Sequence, residues 1–311
     1  MKNKLKKIIN YCLEQYHALK PLQYETQNLS SDKLFFLTGY DKSGTTWMKK
    51  TINEVESLAC VGSNEYLDFF KGTAESRILD TIEKSDDRKS VFNISAKSFN
   101  NFFVSTFNNK IRQVAKKDAL YYGEKSTTQN LELINSYFPD AKQIVLVRDL
   151  RDIIVSFAFH FERRYKGRLN NWTPERSKFT PDGKIKTEFI ERETNKLLRY
   201  YNHIIDFKQN NSDKILIIKY EDLIGENGYD FFLEILSFIN KSTVQSKSSQ
   251  KAWDNNTFEK LSKGRKPGEK DESSFFRSGT SKDYVNHLTK EQIRVIEEKL
   301  AKPLSYFKYI D

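Results

Sequence analysis

Tyr40-Asp41-Lys42-Ser43-Gly44-Thr45-Thr46-Trp47 gathers one lysine, one glycine and three short hydroxyl side chains into a single stretch. A glycine permits a tight backbone turn, and the amides after it point out of a helix N-terminus toward any bound anion. Lys42 adds a mobile positive charge, while Ser43, Thr45 and Thr46 add hydroxyl donors. The combination suits a phosphate or a sulfate. It is not a Walker A loop, because the order Gly-x-x-x-x-Gly-Lys-Ser/Thr is absent and Lys42 precedes Gly44.

The elements around this stretch have to hold it open at one end of a sheet. Residues 34–37 form an apolar run, and Met48, Ile52, Val55 and Ala59 then recur at helical spacing, so a strand feeds a helix through residues 39–45. A second run, 143–147, precedes Ile153, Ile154, Phe157 and Phe161 on one helical face, and a third, 214–218, leads into Glu221 and Asp222. Strands alternating with helices predict an α/β fold, a mainly parallel sheet flanked by helices, with a P-loop-like strand-loop-helix at the anion-binding turn. Ligands in such sheets gather at the carboxyl ends of the strands. Residues 163–186, 241–249 and 263–274 read as long polar loops.

The chain has 311 residues, 38% of them hydrophobic, which is enough for one large core, so a single domain over 1–311 is expected. Residues 1–32 read as an N-terminal helical extension: Asn10, Glu14, Gln15 and His17 interrupt the apolar residues that an export signal would need unbroken. A formal charge of +10 favours an anionic partner, and nucleic acid, acidic polysaccharide and phosphorylated nucleotide all qualify. Cys12 and Cys60 are far apart and lack neighbours at metal-ligand spacing, which argues against a disulfide framework or a metal site and fits a reducing, cytoplasmic setting. No stretch of about 18 apolar residues predicts a membrane span.

The octet resembles the Tyr-Pro-Lys-Ser-Gly-Thr-Thr-Trp segment of sulfotransferases that use 3'-phosphoadenosine 5'-phosphosulfate (PAPS), where it binds the 5'-phosphosulfate. Three further segments agree in order and spacing. Residues 147–157, Val-Arg-Asp-Leu-Arg-Asp-Ile-Ile-Val-Ser-Phe, are similar to the segment that binds the 3'-phosphate, with Arg148 and Ser156 eight residues apart. Residues 218–223 resemble the Tyr-Glu-Asp turn, which implies Tyr220 near the adenine with Trp47 stacked on it. Residues 277–284 resemble the late Arg-Lys-Gly-x-x-Gly-Asp-Trp segment, which assigns Arg277, Ser278 and Gly279 to the nucleotide, and Thr257 and Phe258 match a pair near the base. Asp41 stands for the usual proline, Ser278 for a lysine, Lys282 for a glycine and Tyr284 for a tryptophan. Lys282, Arg265 and Lys266 are the cations available to replace the lysine lost at Ser278.

The resemblance implies sulfuryl transfer from PAPS, by in-line displacement and without a metal, to a hydroxyl or amine of a small molecule, carbohydrate or peptide. No nucleic acid is expected as a partner. Thr127 falls where small-molecule sulfotransferases carry a catalytic histidine. Residues 123–128 instead resemble the Glu-Lys-Ser/Thr segment of carbohydrate-type members, which makes Glu124 the base and Lys125 its assistant at the sulfonate, with Lys42 and Ser156 completing the catalytic set. His160, on the predicted helix after Arg148, is the competing base. Two other readings share the loop chemistry or the charge: a P-loop-type kinase, which would bind ATP and magnesium, and a polyanion-binding module without turnover.

Overall fold

In the computed structural model of the chain, residues 29–62, 96–126, 130–167, 172–240 and 247–311 are described. The chain divides into two compact units, residues 1–30 with 69–114 and residues 31–68 with 115–311. The described part of the first is residues 29–30 and one helix. Everything that follows concerns the second, apart from that helix, labelled α2.

In chain order the elements are β1 (Leu34–Gly39), α1 (Thr45–Glu54), β2 (Leu58–Val61), α2 (Ala96–Val114), β3 (Tyr121–Lys125) and α3 (Leu131–Tyr137). Then come β4 (Lys142–Val147), α4 (Leu150–Lys166), α5 (Thr187–Asn210), β5 (Ile215–Lys219), α6 (Tyr220–Ile224) and α7 (Gly228–Ile239). The last are α8 (Lys247–Asn255), α9 (Phe258–Leu261), α10 (Lys290–Lys299) and α11 (Ala301–Tyr306). The strands form one parallel sheet in the order β2-β3-β1-β4-β5. Parallel neighbours need crossover connections, and the helices supply them and cover both faces.

That double covering explains why the central strands read as unbroken apolar runs. Alternate residues serve opposite cores. Phe35, Leu37, Ile144 and Leu146 pack with Met48 and Ile52 of α1 and with Phe232 and Leu236 of α7. Val145 and Val147 pack with Ile153 and Ile154 of α4 and with Leu197, Tyr201 and Ile204 of α5. Since the strands are parallel, β1, β3, β4 and β5 all deliver their carboxyl ends, Gly39, Lys125, Val147 and Lys219, to one edge.

Three boundaries differ from the sequence expectation. Helix α1 stops at Glu54, Val55 is extended, and Ala59 lies in β2, whose backbone pairs with β3 from Leu58↔Tyr121 to Val61↔Glu124. The spacing of Val55 and Ala59 continues the helical stripe by coincidence, since both are buried from a strand connection. Helix α4 runs on to Lys166, and α8 begins at Lys247, so the polar segments there are shorter than expected. The expected N-terminal helix, apart from residues 29–32, lies outside the described residues, as do Cys12, Thr127 and residues 241–246. None of the described helices is long and apolar enough to cross a membrane.

Candidate active site

The turn between β1 and α1 is fixed from both sides. Tyr40 donates from its hydroxyl to Glu193 on α5 at 3.2 Å and meets Tyr200 edge-on, with ring centroids 4.7 Å apart. The amide and the hydroxyl of Ser43 donate back to the Tyr40 carbonyl, at 3.1 and 2.7 Å, which closes the loop. Lys42 and Gly44 both take left-handed backbone, at φ 77° and 94°. Gly44 is needed twice over, because a Cβ there would also lie 2.8 Å from the Tyr220 ring. The chain then enters α1 with its first amides unbonded within the helix and directed back at the loop.

A cavity of about 340 Å³ opens in front of this turn. Of the residues that the sequence assigned to the nucleotide, Lys42, Gly44, Thr45, Thr46, Trp47, Arg148, Ser156, Tyr220, Thr257, Phe258, Arg277, Ser278 and Gly279 line it. Ser43 is buried and does not. Trp47 and Tyr220 stand edge to face with centroids 6.1 Å apart, and the Trp47 indole donates to the Asn256 carbonyl at 2.7 Å. Gly279, at φ 65°, lets the chain cross Phe258 so closely that a Cβ would sit 2.4 Å from its ring.

Arg148 leaves the end of β4 and ties three segments together. It donates to the carbonyls of Lys42, at 3.1 Å, and Thr280, at 3.3 Å, and lies 3.7 Å from Asp152. Asp152 in turn accepts from the amides of Lys282, at 2.8 Å, and Tyr284, at 2.9 Å, so it holds residues 277–284 against α4. Arg277 is anchored by Asp283, which also meets Lys270 at 2.7 Å and His287 at 3.4 Å. Burial works to raise the Asp283 carboxyl, but His287, Lys270 and Arg277 outweigh it and hold it well below the usual range. With all this bonding, Arg148 Nε and Arg277 Nε and Nη1 are still buried donors with no acceptor among the described residues. Buried donors are nearly always satisfied, so these nitrogens call for an acceptor that the described residues do not supply.

Lys42 completes a cationic cluster. Its ammonium lies 4.5 Å from the Phe275 ring centroid, and its pKa is pushed down to about 8, first by burial and then by Arg163, Arg148 and Arg277. Of the cations that could replace a lysine at Ser278, Arg265 is engaged by the carbonyls of Glu269, Arg277 and Phe276. Lys266 and Lys282 are exposed.

The two candidate bases sit differently. Glu124 and Lys125 are buried on β3, on the side of β1 away from β4, and neither lines the cavity. Glu124 packs against Gly62, where a Cβ would come within 3.1 Å of its Cγ. His160 does line the cavity. Residues that sequence reading did not assign are also at the site: Phe275 and Phe276 line it, Arg163 reaches Phe275 from α4, and Asp152 latches the closing segment. Arg163 was detectable in principle, since it falls three residues after His160 on one helix. Among the described residues no group of His, Cys, Asp and Glu could hold a metal ion.

A family model described as "Sulfotransferase domain" matches residues 32–307. No curated protein matches the chain. Among solved structures, the sulfotransferase STF9 from Mycobacterium avium superposes with a TM-score of 0.55 at 9% identity, covering 94% of this chain and 80% of that one. The mouse sulfotransferase SULT7A1, solved in complex with PAP, gives 0.50 at 17% identity, covering 88% and 84%. At such identities both likenesses speak for the fold.

Proposed function

The chain belongs to the sulfotransferase domain family, and from that premise we propose that it moves the sulfuryl group of PAPS to a hydroxyl or amine acceptor. The observation that carries the choice of donor is the set of orphaned N–H groups on Arg148 and Arg277, two residues that line, with Ser156, the cavity that the β1–α1 turn opens. Their burial fits a doubly charged 3'-phosphate, and Arg presents a planar fork suited to one. Lys42 and the amides at the start of α1 would hold the 5'-phosphosulfate, with Thr45 and Thr46 as further donors. Trp47, Tyr220, Thr257 and Phe258 would flank the adenine.

In this reading the acceptor atom forms a bond to sulfur while the bond from sulfur to the 5'-phosphate oxygen breaks. Lys42 meets the charge that grows on that phosphate oxygen, and Lys125 meets charge on the sulfonate. The resemblance gives the acceptor proton to Glu124, which is buried near the carboxyl end of β3 and does not itself line the cavity. Ser43 acts indirectly, by shaping the loop. A cytoplasmic setting is part of the proposal, supported by the free, buried thiol of Cys60.

Incubation with radiolabelled PAPS and a panel of phenols, sterols, amines, sugars and glycopeptides tests it. Label should pass to at least one class and leave the bisphosphate product. Magnesium-dependent ATP turnover with no use of PAPS would contradict the proposal.

A further inference from the structure

His160 lines the cavity from α4, one helical turn beyond Ser156. Its Nδ1 lies 3.1 Å from Nη2 of Arg163. A guanidinium has donors only and keeps its protons in a protein, so Nδ1 must be the acceptor and the neutral ring carries its proton on Nε2. The arrangement is braced on both sides. Arg163 also donates through Nη1 to the Ser274 carbonyl and lies 5.6 Å from the Phe275 centroid, and the imidazole runs parallel to the Phe157 ring, within 3°.

We propose that His160 serves the transfer as an Nε2–H hydrogen-bond donor to a substrate oxygen, and that Arg163 is the positioning residue that fixes this tautomer. The inference rests on the sulfotransferase reading. A general base needs a lone pair for the incoming proton. In His160 one ring nitrogen is engaged by Arg163 and the other already bears hydrogen, so this tautomer has no lone pair for the acceptor proton. Arg163 acts through its neighbours: it sets the histidine tautomer, tethers residues 274–275 beside Lys42 and adds its charge to those that lower the Lys42 pKa.

Nitrogen-15 spectra of histidine-labelled protein at neutral pH read the tautomer without turnover. The His160 signals should show Nδ1 bare and Nε2 protonated, and Arg163→Met should introduce the other tautomer. A proton on Nδ1 in the wild type, or no change in Arg163→Met, would overturn the assignment. Turnover separates donor from base. His160→Phe should lose about 10²-fold, as when one preorganised donor is removed, while His160→Gln, which still donates, should come back to within about 10-fold of wild type. Loss of about 10²–10⁴-fold in both variants, with bisphosphate affinity intact in both, would make His160 the base. If wild-type protein transfers label to no acceptor, the sulfotransferase reading itself fails, while the ring spectra still decide the Arg163–His160 contact.

Discussion

In the proposed reaction Lys42 meets the charge on the leaving oxygen, and its surroundings set its behaviour. Burial and three arginines bring its pKa from the ordinary 10.5 to about 8 in the unliganded protein. Between these values the unfolded chain holds a proton that the folded chain has lost, so this residue's contribution to stability rises with pH across that window. Below about pH 8 the crowded ammonium is a strain that an anion relieves. The proposed role needs the charged form. The kcat/KM profile should therefore fall as pH rises through about 8, and Lys42→Arg should remove that fall; an unchanged limb in the variant would assign it to another group. Lys42→Ala should lower turnover by about 10²–10³-fold, and bisphosphate affinity much less, because its work is on charge that appears in the transition state. Glu124→Gln should cut turnover by about 10²–10⁴-fold with bisphosphate affinity intact, and a variant with normal turnover would exclude Glu124 as the base.

At the level of elements, the site is a set of strand ends plus one late segment brought back across them. Asp152 is the joint: a buried carboxylate on α4 that bonds two amides of residues 277–284 and faces Arg148. Asp152→Ala should free the segment and weaken bisphosphate binding by about 10–10²-fold, one charged hydrogen bond being worth about 1.5–3 kcal/mol. Calorimetry and limited proteolysis between Arg277 and Tyr284 would measure it, and wild-type affinity with wild-type cleavage would deny the latch. Much of this level was legible in the sequence. The runs that became β1 and β4 are buried on both faces, and β5 at the sheet edge is partly buried on both, so they stand out as continuous apolar stretches, and the turns after them carry Lys42, Arg148 and Tyr220. Strands β2 and β3 did not stand out, because β2 is a four-residue edge strand and β3 carries Gly123, Glu124 and Lys125 in five residues. The latch at Asp152 was hidden for another reason: it depends on contacts across some 130 residues of sequence, between α4 and residues 282–284, which local pattern does not encode.

For the molecule as a whole, one ligand should bind the folded chain and relieve the cluster of Lys42, Arg148, Arg163 and Arg277. Adenosine 3',5'-bisphosphate at 100 times its Kd should stabilise the protein by about 2.7 kcal/mol, seen as a concentration-dependent rise in Tm. In the proposed complex the orphaned donors of Arg148 and Arg277 hold the 3'-phosphate. Titration calorimetry with adenosine 3',5'-bisphosphate and with AMP, at the same pH and salt, measures what that phosphate contributes. Loss of two or more charged hydrogen bonds at about 1.5–3 kcal/mol each predicts that AMP binds at least about 10²-fold more weakly. Equal affinity for the two nucleotides would contradict the account.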